Sequence, residues 1–106
     1  MNKRIFDALK SVDIDVAFED YEGSDDTYIR FFFLPPVPFD TDDNEQYVTH
    51  YVQLDLFTKW DYIQLTKEIK QAMKQAGFKR NFEDQRYETD TKFFHKILRF
   101  YIIEEE

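Results

Sequence analysis

The chain of 106 residues contains no cysteine, two glycines, three prolines and one tryptophan. Without cysteine there are no disulfides, thiolate nucleophiles, zinc–thiolate centres or iron–sulfur clusters. That lack fits a reducing compartment. The two glycines, Gly23 and Gly77, do not stand at strand-to-helix junctions, so a glycine-rich phosphate cradle is hard to build. So little glycine and proline also argues against disorder, collagen-like repeats and linker-rich arrays. No Gly-x-Ser-x-Gly elbow and no His-Glu-x-x-His pair occurs. No apolar run approaches the roughly 20 residues of a membrane span. The N-terminal residues Met1–Arg4 lead into no signal-peptide pattern. The expectation is a soluble protein made in the cytosol, with no membrane partner and no cofactor.

What the chain has is aromatic bulk and acid. Aromatics make up 19% of it, with twelve Phe and seven Tyr. Each such side chain buries roughly 150–250 Å², enough for a core in one domain spanning 1–106. Asp and Glu number 22 against 14 Lys and Arg, a net charge of −8. Phosphate backbones bind by releasing counterions to Lys and Arg. The balance therefore weighs against ordinary nucleic-acid binding. It fits a solubilising surface, a mimic of nucleic acid, or a wall past which nucleic acid slides.

Ile5, Phe6, Leu9 and Val12 recur with helical spacing, opened by Asn2 as a cap. Ile14, Val16 and Phe18 alternate as a strand. Tyr28–Leu34 is apolar except at Arg30 and reads as a second strand, stopped by Pro35-Pro36. In Tyr47–Phe57, Val48, His50, Val52, Leu54 and Leu56 share one face, and Tyr47, Thr49, Tyr51, Gln53 and Asp55 the other. Asp61 caps a helix with Gln64 three residues on. Its apolar stripe is Tyr62, Leu65, Ile69, Ala72, Met73 and Ala76, and Gly77 ends it. Residues 78–88 are polar and extended, a short or irregular edge strand. Phe93–Ile103 is the last strand. The spacing predicts an α+β fold: one antiparallel or mixed sheet of about four to five strands, two helices on one face, and the order α-β-β-β-α-β-β.

The candidate functional residues are interaction residues. The segment 35–46 reads as a long acidic loop carrying Asp40, Asp42, Asp43 and Glu45, and such loops are often functional. Its Asp-Thr-Asp-Asp-Asn run imitates the start of a calcium loop. Glu45 stands where the turn wants Gly and Tyr51 where a bidentate Glu belongs, so no metal site is assigned. Residues 104–106 read as a solvated acidic tail. Trp60 serves either as a partner anchor or as a staple under the helix start. Tyr47, Tyr51, Phe93 and Tyr101 face away from the helices, as a docking surface or a surface covered by another element. His50 and His95 fall on opposite strand faces, so a shared acid–base site needs a special register. No catalytic residue is assigned.

Three stretches carry a resemblance: Ile5–Lys10 with Ile14–Tyr28, His50–Phe57 running through Asp61-Tyr62 to Gly77-Phe78, and Tyr87–Thr91 through His95–Phe100. Together they resemble small tail-completion proteins of long-tailed bacteriophages and prophages, also called tail terminators or tail-to-head joining proteins. The resemblance implies an α/β domain that assembles as a ring, a hexamer, from a monomer when free. The ring would cap the tail tube protein and meet the head connector protein, with DNA passing through without specific binding. It implies a place in the virion at the head–tail junction, after assembly in the bacterial host cytoplasm. It carries no catalytic residues. The rival expectation from charge alone is an acidic inhibitor that mimics nucleic acid.

Overall fold

A computed structural model of the chain describes residues 1–42 and 45–106. The chain runs through α1 (Asn2–Ala8), β1 (Asp15–Phe18), β2 (Thr27–Phe33), β3 (Val37–Asp40), β4 (Gln46–Thr58), α2 (Tyr62–Gln75), β5 (Lys79–Glu88) and β6 (Phe93–Glu105). A single 3₁₀ turn, Leu9–Ser11, follows α1. The six strands form one mixed sheet, ordered β1-β2-β4-β6-β5, with β3 also paired to β4. Only β1 and β2 run parallel. The α+β class and the two helices are as the sequence predicts. The strand number is six rather than four to five, and four strands rather than three precede α2.

The extra strand comes from the segment expected to be a loop. Val37–Asp40 pairs with Gln46–Thr49, so 35–46 is not one irregular stretch. Leu34, Pro35 and Pro36 interrupt the track that β2 follows along β4. Phe33 faces Val52, and pairing resumes with Val37 opposite Thr49. Three residues thus oppose two, the geometry of a bulge. Pro38 is tolerated because β3 is an edge. The expected tail is also part of the sheet: Glu104 and Glu105 belong to β6, opposite Val48 and Tyr47.

Period-two alternation sorts the side chains. Ile29, Phe31, Val52, Leu54, Leu56, Leu98 and Phe100 point to one face and are buried with Ile5 and Leu9 of the first helical segment and Ile69, Ala72 and Met73 of α2. Phe6 and Phe18 close on Phe31, both at 5.3 Å between ring centres. Asp61 caps α2 by accepting from the Ile63 N–H at 2.9 Å. The other end closes as a Schellman turn: Gly77 N–H donates to Lys74 O and Phe78 N–H to Met73 O, both at 3.0 Å. Gly77 has φ +95° there, which a side chain resists. The first helix has no side-chain cap; Met1, not Asn2, is its N-cap.

Burial on the helix face fades along β4. Val52, Leu54 and Leu56 are fully buried, His50 and Val48 half-buried, and Pro38 and Asp40 exposed. The far ends of β3, β4 and β6 therefore form an arm that the helices leave largely uncovered, touched by α1 at the Arg4–Glu104 pair, in a molecule measuring 52 × 25 × 24 Å. Phe31→Ala is expected to destabilise the protein by about 3–5 kcal/mol, because it empties a fully buried position where α1, β1, β2 and β4 meet. Phe82→Ala, on the exposed edge strand, is expected to cost about 1 kcal/mol or less. Urea unfolding of the two variants checks the ranking.

Candidate functional site

The sheet face opposite the helices is the candidate site, and it divides into three regions. The first is the outer side of the arm. Register places Phe39 beside Tyr47 beside Glu105, Val37 beside Thr49 beside Ile103, and Tyr51 beside Tyr101. Phe39 stacks on Tyr47 at 5.6 Å, and Tyr51 meets Tyr101 at 6.1 Å. Val37, Phe39 and Ile103 are 51%, 40% and 49% exposed. The Tyr47 hydroxyl donates to Glu45 at 2.6 Å. That bond, then the Glu45 charge and burial, raise the phenol above its ordinary value. Asp40, Asp42 and Glu45 are all exposed at this end. Asp43 lies outside the described residues.

The second region is polar and closed. Asp55 is 2% exposed although no helix covers it. His95 Nε2 stands 3.1 Å from its Oδ1, Gln53 Nε2 donates to the same oxygen at 3.1 Å, and Arg30 Nη2 lies 3.7 Å from Oδ2. Phe57 stacks on His95 at 4.2 Å and lies under Arg30 at 5.1 Å. Arg99 donates to Gln53 at 2.9 Å and caps Phe82. Burial pushes the Asp55 carboxyl up, but the hydrogen bonds from His95 and Gln53 and the charges of His95 and Arg30 outweigh it and hold it below the usual range.

The third region holds the other predicted anchors. Phe93 is half-buried in a cluster with Tyr28 and Phe57, with Lys59 over its ring at 5.0 Å. Tyr21 extends that cluster, stacked 4.0 Å from Tyr28. Trp60 is 65% exposed, so it does not staple the start of α2. It borders a hollow shared with Asp13, Asp15, Asp25 and Asp26. Asp15, by hydrogen bond and by charge, raises the Asp25 carboxyl.

The expected single docking face is thus corrected. Tyr47, Tyr51 and Tyr101 come together, but Phe93 lies eight residues along β6 from Tyr101, about 27 Å at strand rise, and the Asp55 region lies between. His50 and His95 are on opposite faces of the sheet, so no two-histidine site forms. Among the described residues, no group of three or more His, Asp or Glu is placed to hold a metal ion, and no helix is long and apolar enough to cross a membrane. Sequence reasoning missed Val37 and Phe39. Their alternation with Pro38 is a strand signal that the neighbouring prolines and acids mask.

No protein-family model matches the chain, and no curated protein matches it in sequence. Among solved structures, it is similar in fold to a chain of the structure titled "Virion of native gene transfer agent (GTA) particle". The match has a TM-score of 0.62 and covers 96% of this chain and 92% of that one, at 13% identity. Identity this low speaks for the fold alone.

The depressed Asp55 carboxyl makes a directional prediction. Its stabilisation is full above the unfolded value near 3.9 and is lost as pH falls through the still lower folded value. Stability is expected to drop below about pH 4. Asp55→Asn is expected to cost about 1–3 kcal/mol at pH 7 and to flatten that acid limb. Denaturation at a series of pH values checks both.

Proposed function

We propose that this chain is a structural protein of a phage-like virion, which caps the tail tube and joins tail to head by assembling as a ring. The observation that carries this is the fold likeness to a chain of a virion particle over nearly the whole of both chains. The three stretches that resemble tail-completion proteins give it the finer assignment. The arm supports it physically, because an exposed aromatic sheet face is a surface that assembly can bury. Its partners in this reading are further copies of itself, the tail tube protein and the head connector protein. No chemical step is required of it. DNA would pass an acidic wall without being held, since each phosphate contact needs a cation. Its place would be the head–tail junction of the virion, after assembly in the bacterial host cytoplasm.

The rival reading, a mimic of nucleic acid, calls for carboxylates in one regular convex array. The acids divide instead. Asp13, Asp15, Asp25 and Asp26 lie at the Thr58 end of β4, while Asp40, Glu45, Glu104 and Glu105 lie at the Gln46 end, about 40 Å apart along the strand.

Deleting the gene in its phage is expected to leave filled heads and tails that do not join, with infectivity falling by orders of magnitude. Electron microscopy of lysates checks this. Tails of normal length on filled heads would sink the proposal.

A further inference from the structure

The charges of this chain are segregated in a way that its net charge conceals. No Lys or Arg occurs from Phe31 to Thr58, and none from Phe100 to Glu106. The arm built from β3 and the neighbouring ends of β4 and β6 is therefore purely acidic. Asp40, Asp42, Glu45, Glu104, Glu105 and Glu106 gather at its end. Among the described residues, Arg4 is the one cation that pairs there, with Glu104.

The opposite charge collects at the arm's base. From Lys67 to Arg80 the chain has five cations against one carboxylate, Glu68. The last turns of α2 and the start of β5 enclose a hollow of about 390 Å³, lined by Lys70, Lys74, Phe78, Lys79, Arg80 and Phe100. Phe78 and Phe100 form its apolar floor and are 4% and 2% exposed. Lys70 and Arg80 share Glu83 at 2.7 and 2.8 Å. Lys74 and Lys79 are exposed, and among the described residues neither makes an ion pair. Lys74 is unneutralised on the helix side of the hollow, Lys79 stands at its rim on the outer face beside Tyr101, and Lys70, Arg80 and Lys96 share the one carboxylate of Glu83; in a chain of net charge −8, this excess of cations forms a receptor for an acidic segment.

The arm cannot supply its own hollow. Its strands continue the body's sheet, and the pairing that holds them straight runs from Tyr47–Glu105 to Thr58–Phe94. Lys79 pairs with Tyr101, so the tip stands about 13 Å beyond the hollow at strand rise and points away from it. We propose that the acidic arm of one copy docks into the Lys74–Lys79 hollow of a second copy. The two patches differ, so the contact is heterologous, and repetition yields a closed ring or an open filament. This deepens the ring reading above and rests on it. The pairs are exposed, so each is weak and salt-sensitive.

Sedimentation velocity on the full chain, with no tail or head protein present, tests the contact. The wild type is expected to self-associate as its concentration rises at about 20 mM salt, and to dissociate at about 500 mM. Lys74→Glu with Lys79→Glu is expected to sediment as a monomer. So is Asp40→Lys with Glu105→Lys, and all four positions are exposed. An equimolar mixture of the two variants restores both complementary contacts and is expected to associate again. A wild type that stays monomeric at low salt, or a mixture that stays dissociated, overturns the docking. Association that ignores both salt and the substitutions also overturns it, and leaves the ring to form through another surface. Gene deletion tests the ring's role separately.

Discussion

Once β4 and β6 are zipped from Tyr47–Glu105 to Thr58–Phe94, the facing of every residue in the sheet is settled, because partners across a ladder point to the same side. A slip of one residue would exchange the two faces of the slipped strand. It would present either Leu54 and Leu56 or Leu98 and Phe100 to water and turn Asp55 or Arg99 toward Ile69 and Met73. The cost of burying those charges in an apolar core, together with the lost burial, holds the register. Phe31, opposite Leu54, then gives α1 a ring to close on through Phe6. The same ladder is longer than the helices can cover, and the surplus is the arm.

The outer face shows how a sheet buries a charge without a covering layer. Asp55 is shielded by its own neighbours: Arg30 across one strand pair, Gln53 along the strand and His95 across another. Phe57 lies flat beneath two of them. Removing any partner leaves a desolvated carboxylate short of a bond, so the cluster is interdependent. It also sets a boundary. The aromatic arm and the Tyr21–Tyr28–Phe93 cluster are separate surfaces because this polar region lies between them.

The legible parts of the sequence are those where one face is dry and the other wet. β4, β6 and α2 follow from apolar spacing, and the cap at Asp61 and the stop at Gly77 from local chemistry. β5 is less legible because all ten of its residues are exposed. With nothing to bury, it has no apolar period, and the shift between Arg80 and Phe82 breaks what alternation remains. β3 is hidden by Pro35, Pro36 and Pro38, which signal a loop wherever the edge of a sheet is not foreseen. Among the site residues, Tyr47, Tyr51 and Tyr101 are readable from parity. The separation of Phe93 from them is not, because it depends on Arg30, Asp55 and His95 meeting across strands far apart in sequence.

Three strands border the sheet, β1 and β3 on one side and β5 on the other, and two of them bear on how copies can meet. An unpaired edge invites strand addition, which evolution blunts with charge, proline and bulges. β5 carries Lys79, Arg80, Glu83, Asp84 and Arg86 along its length and a bulge near its start. β3 is four residues long, contains Pro38 and follows the Leu34–Pro36 bulge. β3 and β5 are therefore poor templates for backbone pairing with a neighbour. Along these two strands, contacts between copies are left to side chains, and side-chain contacts sort by charge and shape. On this molecule one contrast in charge lies between the acidic arm and the cations at its base, two different patches. A contact between unlike patches would leave a pair of copies with one arm and one basic patch still free, so further copies would add until the row closes as a ring or runs on as a filament.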